Sequence, residues 1–171
     1  MLLSACGAPA PTVTPSSKAS APATPTAAPA PFAGAGFRTN IPPGWQSTDQ
    51  STSPGGGGTV LMDLFSPNQS TIVVSTTAQP VADDQLAVYL AGIRPPGATE
   101  VSPAEPVDVD GVSGVVITFI GSNPGSAARE NEVMVVNQGG NTYEIALSTL
   151  PADFSTDSPG LQEVLNSWSW A

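Results

Sequence analysis

Short hydrophobic runs recur through the later part of the chain, and in 37–41 and 142–148 hydrophobic and polar residues alternate with the period of two that predicts a β-strand. The runs are rich in Val, Ile, Thr and aromatic residues, and turn-forming residues separate them. They cover 37–41, 59–65, 71–77, 105–109, 132–136 and 142–148. A further segment, 115–120, is mostly apolar, which indicates a strand that is covered on both faces. Asp110-Gly111 predicts the turn of a hairpin, because a primed two-residue turn needs positive φ at both positions.

Two segments carry the helical period instead, with apolar residues at i, i+3, i+4 and i+7. In the first segment, 83–94, these residues are Leu86, Tyr89, Leu90 and Ile93. In the second segment they are Leu161, Val164, Leu165 and Trp168. Ser158 and Pro159 predict where the second helix begins, since Ser is a favoured cap and Pro suits the first helical position.

This order of elements predicts an α+β domain, because hairpins of strands are followed by helices that need a sheet to pack on. We expect an antiparallel β-sheet of about six to seven strands with two main helices packed on it. The domain spans 36–171. The preceding segment, 7–35, contains 10 Ala, 7 Pro, 4 Thr and 3 Ser. Such a composition buries too little apolar surface to offset its ordering entropy, so we expect a disordered linker.

The first residues suggest how the chain is held in the cell. Leu3-Ser4-Ala5-Cys6 resembles a bacterial lipobox, in which signal peptidase cuts before a cysteine that receives a lipid. Residues 1–6 are too short for a complete signal peptide, so we interpret them as its remnant and expect a start codon further upstream. We therefore expect a covalent lipid on Cys6 and a membrane-anchored chain on the extracytoplasmic side.

The charge balance excludes one class of partner. The chain has 4 Lys+Arg against 14 Asp+Glu, a formal net charge of −10. Residues 36–171 contain 3 arginines and all 14 acids, which is a net charge of −11. We expect no nucleic acid partner, since a phosphate backbone needs a cationic surface that releases its counterions. No apolar run reaches the roughly 18 residues of a transmembrane helix, so the lipid is the expected membrane anchor.

Residues typical of catalysis are scarce. The chain has no His, and its single Cys precedes the domain. The pairs Asp108/Asp110 and Glu130/Glu132 each share a strand face, as a carboxylate-dependent hydrolase or a Ca²⁺ site requires, but a solvated face explains them more simply. The glycine run 55–58 lacks the Lys and Ser of a phosphate-binding loop. We expect no enzymatic activity, no metal and no cofactor other than the lipid.

Several segments resemble the PsbP-like/Mog1 superfamily, and more narrowly the small bacterial lipoproteins that carry such a domain. They are Gly36-Phe37 leading to Ile41-Pro42-Pro43-Gly44-Trp45, the hairpin Asp110-Gly111-Val112-Ser113-Gly114, the stretch Asn141-Thr142-Tyr143-Glu144-Ile145, and the closing Ser167-Trp168. The resemblance covers nearly all of 36–171 and implies an antiparallel sheet flanked by helices. It also implies a binding or accessory protein without enzymatic chemistry, and it transfers no functional residue to this chain.

The leading hypothesis is a lipid-anchored, non-enzymatic domain that binds a partner protein or an envelope component. Trp45, Trp168 and Trp170 are the candidate ligand or partner surface, although burial at the edge of the core explains them more simply. One alternative is a carrier of a small apolar ligand or lipid, held between the helix at 83–94 and the sheet. The other alternative is the carboxylate-dependent hydrolase.

Overall fold

The computed structural model describes residues 28–48, 58–100, 102–122 and 125–171. Cys6, linker residues 7–27 and most of the glycine run lie outside the described residues. The helices are α1 (Leu86–Ile93) and α2 (Phe154–Asn166). The strands are β1 (Ala30–Gly34), β2 (Phe37–Ile41), β3 (Gln46–Ser47), β4 (Thr59–Phe65), β5 (Thr71–Thr76), β6 (Thr99–Glu100), β7 (Glu105–Val109), β8 (Val112–Gly121), β9 (Arg129–Gln138), β10 (Asn141–Thr149) and β11 (Ser169–Trp170).

The main sheet is antiparallel, in the order β3-β4-β5-β10-β9-β8-β6, and β7 pairs with β8 beside β6. Strands β3 and β6 are only two residues long, so six longer strands carry the sheet. A second, small sheet has the order β1-β2-β11. The predicted α+β fold, with six to seven strands and two main helices, is confirmed.

The main sheet is covered on both faces. Helix α1 packs on β8 and β9, where Leu86 and Leu90 meet Ile117, Val133 and Val135. Helix α2 and the small sheet cover the opposite face and enclose the larger core. That core contains Phe37, Met62, Leu64, Ile72, Val74, Met134, Val136, Ile145, Leu147, Leu161 and Val164, each at most 2% exposed.

The helices begin at other residues than we predicted. At 83–94, Asp83–Gln85 form a single 3-10 turn and α1 follows. The predicted start of α2 at Ser158 and Pro159 was wrong, since α2 begins at Phe154 and contains Pro159. The backbone carbonyl of Asp153 accepts hydrogen bonds from the first turn, and its side chain makes no cap. Ser158 and Pro159, although typical of a helix start, therefore lie inside α2.

The two ends of the described chain meet in the small sheet. Strand β1 lies within the segment that we expected to be linker, and it pairs along its whole length with β2. Strand β11 pairs with β2 on the other side, through Ser169 and Trp170. The backbone N–H of Ala171 then donates to the carbonyl of Gly36 at 3.0 Å. The first strand therefore begins six residues before Gly36, where we expected the domain to start.

A glycine in α2 makes room for an aromatic ring. Trp45 is half-buried and packs against Gly160, which is itself buried. A Cβ atom at Gly160 would come within 2.8 Å of the Trp45 ring. A Cβ at that distance would force the ring to move. Glycine at position 160 therefore allows Trp45 to pack directly against α2.

Replacing Gly160 by Ala should lower the free energy of unfolding by about 1 kcal/mol. The overpacking cost of about 1–3 kcal/mol outweighs the gain of up to about 1 kcal/mol that Ala brings to a helix interior. Urea denaturation of the wild-type protein and of the variant measures the difference.

Gly92→Ala in α1 is the matched control, because a Cβ there meets no atom within 4 Å. This variant should raise the free energy of unfolding by up to about 1 kcal/mol. If Ala has the same sign of effect at both glycines, the packing of Trp45 is not what constrains Gly160.

Candidate functional site

The three tryptophans selected from the sequence do not share one exposed platform. Trp168 is 4% exposed. Its ring stacks on Phe37 with the centroids 4.2 Å apart and the planes 4° from parallel. Trp170 makes a T-shaped contact with Trp168 at 5.2 Å and a tilted contact with Tyr143 at 5.0 Å. These rings join the small sheet to the core of the main sheet.

Polar contacts hold Trp170 in place as well. Its indole Nε1 donates to the carbonyl of Val109 at 2.9 Å, and its backbone N–H donates to Oδ2 of Asp110 at 3.1 Å. Trp45 packs against α2 about two turns before Trp168. The structure thus brings Trp168 and Trp170 together and leaves Trp45 apart. Their role as a partner surface stays a prediction.

The carboxylates Asp108 and Asp110 serve the hairpin between β7 and β8. Oδ1 of Asp108 accepts from the backbone N–H of Gly111 at 2.9 Å, while Asp110 binds Trp170. Asp110 and Gly111 have φ of 49° and 79°, as a primed turn requires. The two carboxylates therefore point to different partners.

A serine and an aspartate meet inside the protein. Ser70 Oγ donates to Oδ2 of Asp157 at 2.6 Å and lies 2.7 Å from Oγ1 of Thr149. Ser66 Oγ adds a longer contact with Asp157, at 3.4 Å. All four side chains are at most 8% exposed. This cluster ties the turn between β4 and β5 to the first turn of α2, and a substrate cannot reach its hydroxyl groups.

Burial raises the pKa of several carboxyl groups on the main sheet. It does so for Glu132. It also raises the pKa of Asp63, although a hydrogen bond from Thr48 lowers the pKa of that carboxyl. Burial also raises the pKa of Glu144, against the effect of a 3.1 Å hydrogen bond from the hydroxyl of Tyr89. The pKa of Tyr89 is raised to about 12, mainly by burial and to a smaller extent by the nearby Glu144 carboxylate.

An open groove of about 490 Å³ lies where the β7–β8 hairpin meets the start of α1. We call it the hairpin-end groove. Its lining combines apolar side chains, glycines and three polar side chains. The lining residues are Asp83, Leu86, Gly111, Val112, Ser113, Gly114, Val115 and Asn137.

A hydrogen-bond network fixes one wall of the hairpin-end groove. Nδ2 of Asn137 donates to Oδ1 of Asp83 at 2.6 Å and to the carbonyl of Val81 at 2.7 Å. Oγ1 of Thr142 donates to Oδ1 of Asn137 and accepts from the N–H of Val81 at 2.8 Å. The network holds the chain before α1 against the ends of β9 and β10.

Sequence reasoning did not select this groove. Asp83 lies in the 3-10 turn before α1. Asn137, which we expected in a hairpin loop over 137–141, lies in β9, and the turn itself is Gly139-Gly140. The contact between Asp83 and Asn137 joins residues 54 positions apart in the chain. No local pattern signals such a pairing, so only the folded arrangement of α1 on β9 reveals it.

Comparison with known proteins extends the fold assignment. No protein-family model matches the sequence, and a search of curated proteins gives no match. The solution structure of cyanobacterial PsbP (CyanoP) from Synechocystis sp. PCC 6803 is similar, with 16% identity and a TM-score of 0.60 over 90% of this chain and 99% of that chain. LpqN, involved in cell envelope biogenesis of Mycobacterium tuberculosis, is similar with 13% identity and a TM-score of 0.57 over 88% of this chain and 87% of that chain.

Identities this low establish the fold alone. The protein has a PsbP-like α+β fold, as the resemblance in its sequence implied. Among the described residues, neither helix has the length and apolar composition to cross a bilayer.

The raised pKa of Glu144 predicts a pH-dependent stability. The protonated carboxyl is favoured in the folded state, so its stabilising effect is complete below the ordinary pKa of 4.5. That effect is lost as the pH rises through the raised pKa. As the pH rises from below 4.5 through the raised pKa, Glu144→Gln should therefore lose less stability than the wild-type protein, as urea denaturation at each pH measures.

Tyr89→Phe separates the two influences on Glu144. It removes the hydrogen bond that lowers the pKa, so the pKa of Glu144 should rise further above that of the wild-type protein. NMR titration of the Glu144 side-chain carboxyl carbon measures this change. A lower pKa in the variant would contradict the assigned balance between burial and hydrogen bonding.

Proposed function

We propose that this chain is an extracytoplasmic accessory protein, held at the membrane by a lipid on Cys6. Its domain binds a partner protein or an envelope component and catalyses no reaction. The observation that carries the proposal is the PsbP-like fold, which the chain shares with CyanoP and with LpqN, a protein involved in cell envelope biogenesis.

The positions of the polar side chains support a binding role over catalysis. Asp108 and Asp110 are engaged in the hairpin and its contact with β11, and Ser70 with Asp157 is buried. In the part of the chain that the structure describes, no three His, Cys, Asp or Glu side chains converge to hold a metal ion. The hydrolase alternative needs two carboxylates facing one pocket, and the lining of the hairpin-end groove contains only Asp83.

The packing of α1 favours a surface site over an internal one. A carrier of an apolar ligand needs space between this helix and the sheet. Leu86, Leu90, Ile117 and Phe119 fill the interface and are at most 5% exposed. These side chains are packed core, so binding at the protein surface is the function we favour.

Electrostatics make the lipid necessary in this proposal. Residues 36–171 carry a net charge of −11 from 3 arginines and 14 acids, and anionic head groups repel such a domain. A single acyl chain gives only marginal membrane binding, whereas two or more anchor a protein stably. A lipobox cysteine usually carries three.

Cys6→Ser tests the anchor. The chain is expressed in a bacterial host behind a signal peptide that leads into Leu3-Ser4-Ala5-Cys6, and it is then extracted with a phase-separating detergent. The wild-type protein should incorporate labelled fatty acid and enter the detergent phase, because the acyl chains bury in the micelle. The Cys6→Ser variant should remain aqueous and unlabelled, and equal partitioning of the two proteins would remove the anchor from the proposal.

Cross-linking in intact cells tests whether the domain binds a specific partner. The lipidated protein should give the same cross-linked envelope components in independent cultures. A second acidic lipoprotein of similar size, expressed at the same level, controls for proximity alone. If the two proteins give the same set of cross-links, the domain has no specific partner, and the proposed binding function is contradicted.

A further inference from the structure

We propose that Arg129 and the exposed side chains beside it bind an acidic residue of a partner protein that stands between apolar residues. We call this site the Arg129 surface, and its members are Phe65, Gln69, Arg129, Ser148 and Leu150. The inference rests on the proposed binding function and names the surface and the chemistry of the partner. Three features support it: the position of Arg129 on the main sheet, its unused N–H groups and the apolar side chains around it.

Arg129 is the first residue of β9 and lies on the face of the main sheet that carries α1. It pairs with Gly121, where a Cβ atom would come within 2.7 Å of Pro95, just after α1. Nε of Arg129 donates to Oγ of Ser148 at 2.9 Å. Leu147 belongs to the core on the opposite face, so the side chain of Ser148 projects to the α1 face. The guanidinium of Arg129 therefore lies on the α1 face as well.

Neutral oxygen atoms hold this guanidinium in place. Nη2 donates to the carbonyl of Ser148 at 2.7 Å and to the carbonyl of Gln69, in the turn between β4 and β5, at 3.0 Å. Together with the bond from Nε, these contacts leave only the two N–H groups of Nη1. Within the described residues, Nη1 makes no hydrogen bond and Arg129 forms no ion pair with a carboxylate. A positive charge is thus positioned in advance, and a negatively charged ligand loses little entropy in meeting it.

The unused N–H groups of Nη1 select the kind of anion. A phosphate or a chain-terminal carboxylate is commonly held by several converging donors, such as backbone nests and helix N-termini. On the Arg129 surface Nε and Nη2 are already occupied, so the arginine offers one nitrogen atom. One oxygen of an aspartate or glutamate side chain suits this donor. A run of acids does not, because residues 36–171 carry a net charge of −11 and repel it.

Exposed apolar side chains lie near Arg129 on both sides. Phe65 is 38% exposed and Leu150 is 39% exposed. Phe65 pairs with Thr71, and Thr71 pairs with Ser148, so these side chains project to the α1 face as Arg129 does. Leu150 directly follows the last residue of β10 that pairs with β9. Because an aromatic ring and an arginine are typical of the residues that dominate binding at interfaces, we infer apolar residues on either side of the partner's acid.

NMR titration of the ¹⁵N-labelled protein tests the Arg129 surface. The probe is the capped pentapeptide Ala-Leu-Glu-Leu-Ala, and its counterpart has glutamine in place of glutamate. The glutamate peptide should shift the Nε–H signal of Arg129 and the backbone amide signals of Gln69 and Leu150. The glutamine peptide should bind about tenfold more weakly, since it lacks the charge that strengthens the hydrogen bond.

Two variants locate the binding. Arg129→Gln keeps an amide donor but removes the charge, and should weaken the glutamate peptide about tenfold. Leu150→Glu changes an exposed side chain and offers Arg129 a carboxylate of its own, so it should abolish binding even if Arg129→Gln fails to fold. Leu150→Gln is its matched control and should lose less than about threefold in affinity, because it removes only apolar contact. Arg38→Gln, at an exposed position of β2, has the same charge change as Arg129→Gln and should bind as the wild-type protein does.

The possible outcomes are distinct. Equal binding of the two peptides, shifts centred away from Gln69 and Leu150, or wild-type affinity in Leu150→Glu would each overturn the assignment. Saturation by acetate with the affinity of the glutamate peptide would also overturn it, because the apolar neighbours would then contribute nothing. In intact cells, Leu150→Glu should lose at least one envelope cross-link that Leu150→Gln retains. If it retains every cross-link, the proposed function stands and the Arg129 surface is not its binding surface.

Discussion

The central strands β8, β9 and β10 need apolar cover on both faces, and the rest of the fold follows from this need. Consecutive strand residues point to opposite faces, so the run Val133–Val136 buries two side chains on each side of the sheet. All four are at most 4% exposed. One helix cannot cover both faces, which is why α1 takes one and α2 takes the other together with the small sheet. The hairpin-end groove lies at the edge of this cover, where the pairing of β8 with β9 ends at Gly114 and Val136.

Sequence patterns predicted the parts of the fold that local periodicity determines. The apolar run at 115–120 indicated a strand covered on both faces, and Asp110-Gly111 indicated a primed turn. The start of α2 was placed too late because Ser158-Pro159, a pattern typical of a helix start, lies inside the helix. Strand β1 was missed because its residues, Ala30–Gly34, share the composition of the linker, and only pairing with β2 makes them a strand.

The candidate site was harder to predict, because its residues meet only after folding. Trp168 and Trp170 were selected for their size, yet their positions depend on a stack with Phe37 and a hydrogen bond to Val109, both far away in the chain. The sequence around Asp83 and around Asn137 gave no indication that the two side chains meet. Most buried polar groups, such as Ser70 and Asp157, hold elements together.

Strand β1 gives the protein a mechanical property if the lipid on Cys6 holds it at the membrane. Tension then enters the domain at Ala30, which pairs with Ile41 at the open end of the β1–β2 hairpin. Antiparallel strands loaded at that end separate one pair at a time, so little force is needed for each step. Most of β1 is exposed, and releasing its five residues lengthens the chain outside the domain by about 17 Å. The ring contact between Phe32 and Phe37 is then lost, while β2 keeps its pairing with β11. The edge strand of the small sheet thus acts as an extensible segment between the lipid and the domain.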